Sequence, residues 1–225
     1  MKRKHLIGLI VLTLILGTTG VTFGDIIDFT GGTGYLSGGG TVVPNNGTYW
    51  SGVDYYEENG FKLDFIGDNG IIGDYYEASN DVIHGHWGTG NYGVLTSIVV
   101  SKLDGNPFDL NYFILTSNTD TGGGAASGNE QTWINASTDG TTISYSQLLP
   151  PDDWGFVGTN PQIFLGSQFD NIMWFSFTVS NEVDCFGMDN FYINEPAPPP
   201  VPLPGAFLLG MLGLSVAGVK LRKHA

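Results

Sequence analysis

The sequence predicts an all-β fold, a single β-sandwich of jelly-roll type, from three observations. The chain contains 34 Gly and 13% aromatic residues, a composition that suits short strands joined by frequent turns. Its middle lacks long apolar runs at helical spacing. Apolar and polar residues alternate instead, most clearly over residues 61–66 and 175–179, as in half-buried strands. An open β-helix is the alternative, but no fixed repeat period supports it.

Ten strands are predicted in order along the chain. They cover residues 26–29, 53–56, 61–66, 95–103, 108–116, 132–136, 141–145, 162–165, 172–179 and 186–193. Asn59 and Gly60 predict a tight hairpin turn between the second and third strands, because both residues tolerate a positive φ. Segments 31–47 and 119–129 are rich in Gly, Asn and Thr, and we expect them to be surface loops.

The N-terminus predicts a signal peptide over residues 1–24, cleaved after Gly24. Basic residues at positions 2–4 precede an apolar run at 6–16 and a stretch of small residues, which is the order of a secretory signal. The apolar run rises only about 16 Å as a helix, against about 30 Å of hydrocarbon in a bilayer. An uncleaved anchor is therefore the less favoured alternative. The mature body is predicted to be one acidic domain, residues 25–195.

The C-terminus predicts a Pro-rich stalk, residues 196–204, and an apolar helix within residues 205–225. The helix is expected to enter a membrane and to stop where Lys220, Arg222 and Lys223 meet the cytoplasmic side, since cations are costly in hydrocarbon. The stalk favours extended polyproline II geometry, because proline has no amide donor for a strand.

The stem Val201, Pro202, Leu203 and Pro204, followed by an apolar helix and Arg222, resembles the VPLPA variant of the PEP-CTERM sorting signal of exported bacterial proteins. The resemblance covers about 25 of the 225 residues, and the commoner version has Glu at the position of Leu203. It implies processing by signal peptidase and by a membrane-embedded exosortase, and an association with extracellular polysaccharide and biofilm matrix. An ordinary tail anchor is the alternative. Both readings place the body at the cell envelope, on the outer surface or in the matrix.

Charge is concentrated in the body. Lys62 and Lys102 are its two basic residues, against all 22 acidic residues of the chain, a net charge of −20. Such a domain repels nucleic acid, which excludes a nucleic-acid partner. Cys185 is the one cysteine, so no intramolecular disulfide can form and the fold must depend on its core. We expect Cys185 to be a small buried hydrophobe.

His84, His86 and Trp87 form a candidate ligand-binding segment. Residues two apart on a strand share a face, so the two imidazoles could bind a metal ion together. A zinc site would need a third ligand from nearby acids, which are Asp74, Glu77 and Asp81. The alternative is a turn in which the histidines bond to backbone and Trp87 packs on the core. Residues 84–93 also resemble segments of other exported proteins with this kind of tail, a resemblance that implies no activity.

Asp189 is a candidate calcium ligand. Alternation predicts that it shares a strand face with Phe191 and Ile193, where a carboxylate must be compensated. The pattern resembles the last strand of carbohydrate-binding-module sandwiches, in which such a carboxylate helps to hold a structural Ca²⁺ against the first strand. The resemblance implies a site made by Asp28 and Asp189, completed by further oxygens. The alternative is a hydrogen-bonded Asp on an outward face.

These observations favour a non-enzymatic polysaccharide-binding module, with no catalytic residues assigned. Aromatic residues are expected to form a sugar-binding face, beside the acids Asp152 and Asp153: Tyr49, Trp50, Tyr55, Tyr56, Tyr75, Tyr76 and Trp133. Aromatic rings stack on sugar faces while acids accept bonds from hydroxyl groups. The alternative is an extracellular hydrolase or lyase of a matrix polysaccharide that uses His84 and His86 with neighbouring acids.

Overall fold

The computed structural model describes residues 24–44, 49–67, 70–74, 81–88, 93–120, 128–150 and 161–195. The predicted signal peptide up to residue 23, the stalk, the sorting motif and the C-terminal segment lie outside these ranges, so their predictions stand untested. No helix in the described part of the chain is long and apolar enough to span a bilayer.

Strands dominate the described residues, with one short 3-10 helix at Ser167–Phe169. The strands in chain order are β1 Asp25–Ile27, β2 Thr33–Leu36, β3 Thr41–Val42, β4 Tyr49–Glu58, β5 Phe61–Ile66, β6 Gly70–Asp74, β7 Asp81–His86, β8 Ser97–Lys102, β9 Leu110–Asp120, β10 Thr132–Ser137, β11 Tyr145–Leu148, β12 Gln162–Phe164, β13 Trp174–Val179 and β14 Val183–Ile193. The all-β prediction is confirmed.

All of these strands belong to one hydrogen-bonded sheet. Its order is β11-β10-β13-β8-β5-β4-β6-β7-β14-β9-β12, with β1 added to β14, β2 to β4 and β3 to β2. The long strand β4 pairs with β6 through its first residues and with β5 through its last. Gly52, at a φ of 72°, lies at a bulge between Ser51 and Val53, just before β4 changes partner. A bend of this kind lets one strand pass from one layer to another.

The sheet curls until its two halves pack face to face. Phe175 and Phe177 of β13 lie 5.3 and 6.0 Å from Phe191 of β14, measured between ring centroids. Five strands separate β13 from β14 in the hydrogen-bonded order, so this contact is made across the core. The two separate sheets of the predicted jelly roll are thus replaced by a single curled sheet with a sandwich-like interior.

Local patterns predicted some elements accurately. The hairpin turn is confirmed, with Asn59 at a φ of 49° and Gly60 at 81°. The strand predicted at 141–145 is wrong, because the Asp139 carboxylate accepts hydrogen bonds from the amides of Thr141 and Thr142, both at 2.8 Å. Residues 138–144 therefore form a loop, and β11 begins only at residue 145. Segment 31–47 was expected to be a loop, yet it contains β2 and β3, and Tyr35 of β2 stacks on Tyr55 at 4.2 Å.

Candidate functional site

Strands β7 and β14 place two histidines and the cysteine on one face of the sheet. His86 is directly opposite Cys185, and His84 is opposite Gly187, in antiparallel register. Directly opposite residues share a face, as do residues two apart on one strand. His84, His86 and Cys185 therefore project from the same side, although the chain separates His86 from Cys185 by 99 residues.

The three side chains are in close proximity. The Cys185 Sγ lies 3.1 Å from His86 Nδ1, and the two imidazole centroids are 5.1 Å apart with nearly perpendicular planes. One ligand atom from each residue can be chosen so that all lie within 4.8 Å of one another. His84 is 0% exposed and Cys185 is 2% exposed, whereas His86 is half-buried. The cluster is thus open on the His86 side.

Burial controls the charge of both imidazoles. It lowers the pKa of His84 well below its ordinary value, and the neighbouring His86 acts in the same direction. Burial also lowers the pKa of His86, while the carboxylate of Asp184 opposes that change. Both rings are therefore neutral at pH 7, and each has a lone pair on one nitrogen.

The other residues predicted for this segment are elsewhere. Trp87 is 1% exposed and its ring lies 6.4 Å from Phe186, so it belongs to the core. Asp74 and Asp81 are backbone partners at the far end of the β6–β7 pair, and Glu77 is outside the described residues. The group brought to the histidines is Cys185, which sequence reasoning treated as a plain hydrophobe. No local signal identifies this partner, because it depends on the pairing of β7 with β14.

The position of Asp189 differs from the prediction. Asn190 has a φ of 46°, and the pairing of β14 with β9 shifts register between Asp189 and Tyr192. The extra residue of this β-bulge reverses the alternation. Asp189 is therefore opposite Ile114 on the outer face, whereas Phe191 is buried. Its carboxylate accepts bonds from the amide and the side chain of Asn190, at 2.7 and 2.8 Å.

Strand β1 pairs with β14, as the calcium prediction requires, and the register brings Asp28 to the level of Asn190. The Asp28 carboxylate accepts bonds from the amide and the hydroxyl of Thr30, at 3.1 and 2.6 Å. It also lies close enough to Glu58 to act on that carboxyl group. Calcium binding by Asp28 and Asp189 remains a prediction.

Glu58 is a buried carboxyl group that sequence reasoning missed. It is 8% exposed, and its Oε2 accepts bonds from the Phe29 amide at 3.0 Å and the Tyr56 hydroxyl at 3.1 Å. Burial raises the pKa of Glu58 to about 7, Asp28 adds to the increase, and the bond from Phe29 opposes it. The available signal was alternation in β4, since Glu58 is two residues after the buried Tyr56.

A row of aromatic rings crosses the outer face of β12, β9 and β14. Phe164 is opposite Tyr112, and Tyr112 is opposite Tyr192. The ring centroids are 5.3 Å apart for the first pair and 3.9 Å apart for the second, which is stacked. Phe164 lies on the edge strand and is 60% exposed. Burial and the neighbouring Tyr192 raise the pKa of Tyr112.

This row is not the sugar-binding face that the sequence predicted. Tyr56 is in the core at 0% exposure, and Trp50 packs against the core. Tyr55 stacks on Tyr35 on another part of the surface, with the Lys62 ammonium 4.6 Å from its ring centroid. Several predicted members lie outside the described residues, namely Tyr75, Tyr76, Asp152 and Asp153.

The solved structures that this chain matches are distant from it. No family model and no curated protein matches the chain. A DUF4465 family protein from Bacteroides caccae covers 76% of this chain and 100% of its own, with 10% identity and a TM-score of 0.42. The K1 cleaved adhesin domain of Lys-gingipain from Porphyromonas gingivalis W83 covers 76% and 95%, with 16% identity and a TM-score of 0.33. At these TM-scores neither match carries an argument about this chain.

The raised pKa of the Glu58 carboxyl predicts that the free energy of unfolding depends on pH. Its pKa is about 7 in the folded protein, against an ordinary value of 4.5. The stability that it contributes is present below pH 4.5 and is lost as the pH rises through about 7. This difference in pKa between the two states corresponds to a change in the free energy of unfolding on the order of 3 kcal/mol. From about pH 5 to about pH 8, wild type should therefore lose free energy of unfolding relative to Glu58→Gln.

Urea denaturation in EDTA at both pH values measures this difference. Glu57→Gln is the matched control, because it removes a carboxylate from the same strand. If wild type and Glu58→Gln change in parallel between the two pH values, the buried carboxyl does not control the dependence.

Proposed function

We propose that this chain is an exported protein of the bacterial cell surface or extracellular matrix, and that its β-domain binds polysaccharide without catalysing a reaction. The observation that carries the proposal is the aromatic row made by Phe164, Tyr112 and Tyr192. The proposal includes the VPLPA-type PEP-CTERM sorting signal, processed by signal peptidase and an exosortase-type enzyme.

The aromatic row suits a sugar ligand. A pyranose ring has apolar C–H faces and a polar rim, and an aromatic ring offers an apolar face of comparable size. Phe164 is 60% exposed at the edge of the sheet, so a sugar that covers it removes apolar surface from water. Tyr112 and Tyr192 continue the row inward and each carries a hydroxyl group for hydrogen bonding.

Polar side chains lie on the same strands as the aromatic row and close to it. Gln162 is opposite Ile114, and Ile114 is also opposite Asp189. Gln162 is two residues from Phe164, about 6.7 Å along a strand, and Asp189 is three residues from Tyr192 because of the bulge in β14. An amide and a carboxylate at these positions can bond to hydroxyl groups of a sugar whose face rests on the rings. The combination supports a carbohydrate rather than a purely apolar ligand.

Burial of His84 and Glu58 supports a binding function over the alternative, a hydrolase or lyase. His84 is 0% exposed, and an external polymer cannot contact it. Glu58 is 8% exposed and its oxygen already accepts two bonds from the protein. A catalytic acid or base must lie within hydrogen-bond reach of its substrate.

Substitution of Phe164 tests the binding function. We expect Phe164→Ala to weaken binding to bacterial exopolysaccharide about fivefold or more, since stacking contacts of this size are worth about 1 kcal/mol or more. Its melting temperature should stay close to that of wild type because the ring is exposed. Affinity electrophoresis in gels containing the polymer measures the binding.

Ile143→Ala is the matched control, because Ile143 is a large apolar residue that is 57% exposed in the segment between β10 and β11. It should bind as wild type does. Equal binding by Phe164→Ala and wild type would remove the aromatic row from the proposal. Release of reducing ends from the polymer by the purified protein would favour the hydrolase or lyase instead.

Mass spectrometry of the exported protein tests the sorting signal. We expect an N-terminus at Asp25 and a C-terminus near Pro204, because cleavage after Gly24 and within the stalk removes both apolar ends. Recovery of a chain that still ends at Ala225 would indicate a permanent tail anchor. Recovery of the uncut chain from the cytosol would contradict export altogether.

A structural Ca²⁺ held by Asp28 and Asp189 is part of the proposal. Calcium accepts six to eight oxygens, and the neighbouring Glu58 carboxyl could contribute. EDTA should lower the melting temperature of the protein, excess Ca²⁺ should restore it, and Asp28→Asn should remove the response. An identical melting temperature with EDTA and with Ca²⁺ would contradict a structural ion.

A further inference from the structure

We infer that His84, His86 and Cys185 form a binding site for one transition-metal ion of the Zn²⁺ class. The site is independent of the polysaccharide-binding row and of the proposed Ca²⁺ site. It unites the two histidines of β7 with the single cysteine of the chain through the β7–β14 pairing.

The donor atoms select the class of metal. Two imidazole nitrogens and one sulfur are borderline and soft ligands, which Zn²⁺ and its neighbours prefer, whereas Ca²⁺ and Mg²⁺ require oxygen. Two neutral imidazoles and a thiolate would leave a net charge of +1 around a divalent ion. The buried Asp184 carboxylate already acts on His86, and it would offset that charge.

The distances are compatible with coordination. Ligands at 2.0 to 2.3 Å from a tetrahedral Zn²⁺ are about 3.3 to 3.8 Å apart. The Sγ–Nδ1 distance of 3.1 Å is close to this range, and the three donor atoms lie within 4.8 Å of one another. The longer separations must shorten when an ion binds, and the half-buried His86 ring is the member of the cluster with the most room to move.

A tetrahedral ion at this site would have three protein ligands and one vacant coordination position. Access to that position is from the side of His86, the one member of the cluster that is partly exposed. A water molecule or a ligand from outside could occupy it, as in zinc sites with three protein ligands. Rigid strands carry all three residues, which limits the reorganisation that metal binding would require.

Metal titration of the full chain tests the inference. The protein is stripped with EDTA under reducing conditions and transferred to buffer with excess Ca²⁺, which occupies carboxylate sites on the acidic surface. Zn²⁺ is then titrated against a chromogenic chelator, and Co²⁺ is added separately as a spectroscopic substitute. We expect one Zn²⁺ per chain and a thiolate-to-cobalt charge-transfer absorption.

Two variants identify the ligands. Cys185→Ser should abolish the charge-transfer band, and His86→Gln should reduce Zn²⁺ affinity at least about tenfold. His224→Gln, which changes a histidine of the tail, should bind as wild type does. Melting temperatures in EDTA establish that each variant is folded, and His86→Gln, at a half-buried position, provides the test if Cys185→Ser does not fold.

Three results would overturn the inference. They are the absence of stoichiometric Zn²⁺ binding in excess Ca²⁺, binding that is undiminished in both variants, and a Co²⁺ spectrum without a thiolate band. The second result would identify the acidic surface as the binding region instead.

Discussion

The two halves of the curled sheet are held together by aromatic rings, and both candidate sites depend on that contact. Phe191 lies at its centre, within 6.0 Å of rings from β9, β13 and the segment after β1. Removing one such buried ring typically costs roughly 3 to 5 kcal/mol, a large part of the roughly 5 to 15 kcal/mol that stabilises a domain. With a single cysteine, no covalent link can replace this packing. The inner face of β14 is therefore occupied by core packing, and its polar and ligand-binding groups lie on its outer face.

Much of the strand content could be predicted from local pattern, and the failures have a physical cause. Strand β5 was predicted with its observed limits, because Phe61 and Leu63 alternate with polar residues. Strands β6 and β7 were not among the ten predicted strands, and each contains a glycine, Gly70 and Gly85 respectively. Both glycines lie inside strands, where an added Cβ would meet the Phe65 ring and the Leu95 side chain. Their role is close packing, which the sequence alone does not distinguish from a turn.

The sites were less predictable than the strands. The pair His84 and His86 was visible as a spacing of two, but Cys185 became its neighbour through a pairing between distant segments. The displacement of Asp189 had a local signal, since Asn190 is a residue that tolerates the positive φ of a bulge. The aromatic row had none, because Phe164, Tyr112 and Tyr192 come from three strands whose order the alternation of residues does not specify. The alternation of residues therefore predicts which side chains share a face of one strand, whereas the strand order determines which strands lie side by side.

Strand β14 is the last strand in the described part of the chain, yet it lies within the sheet, bonded to β7, β9 and β1. A polypeptide synthesised from its N-terminus cannot complete the core until residue 193 is available, and until then β7 and β9 each retain an unpaired edge. Such long-range closure is slow compared with local folding. The nascent chain consequently keeps these strand edges unpaired for most of its synthesis. A chain shortened before β14 would lose the ring contacts of Phe191 together with the strand pairings to β1, β7 and β9.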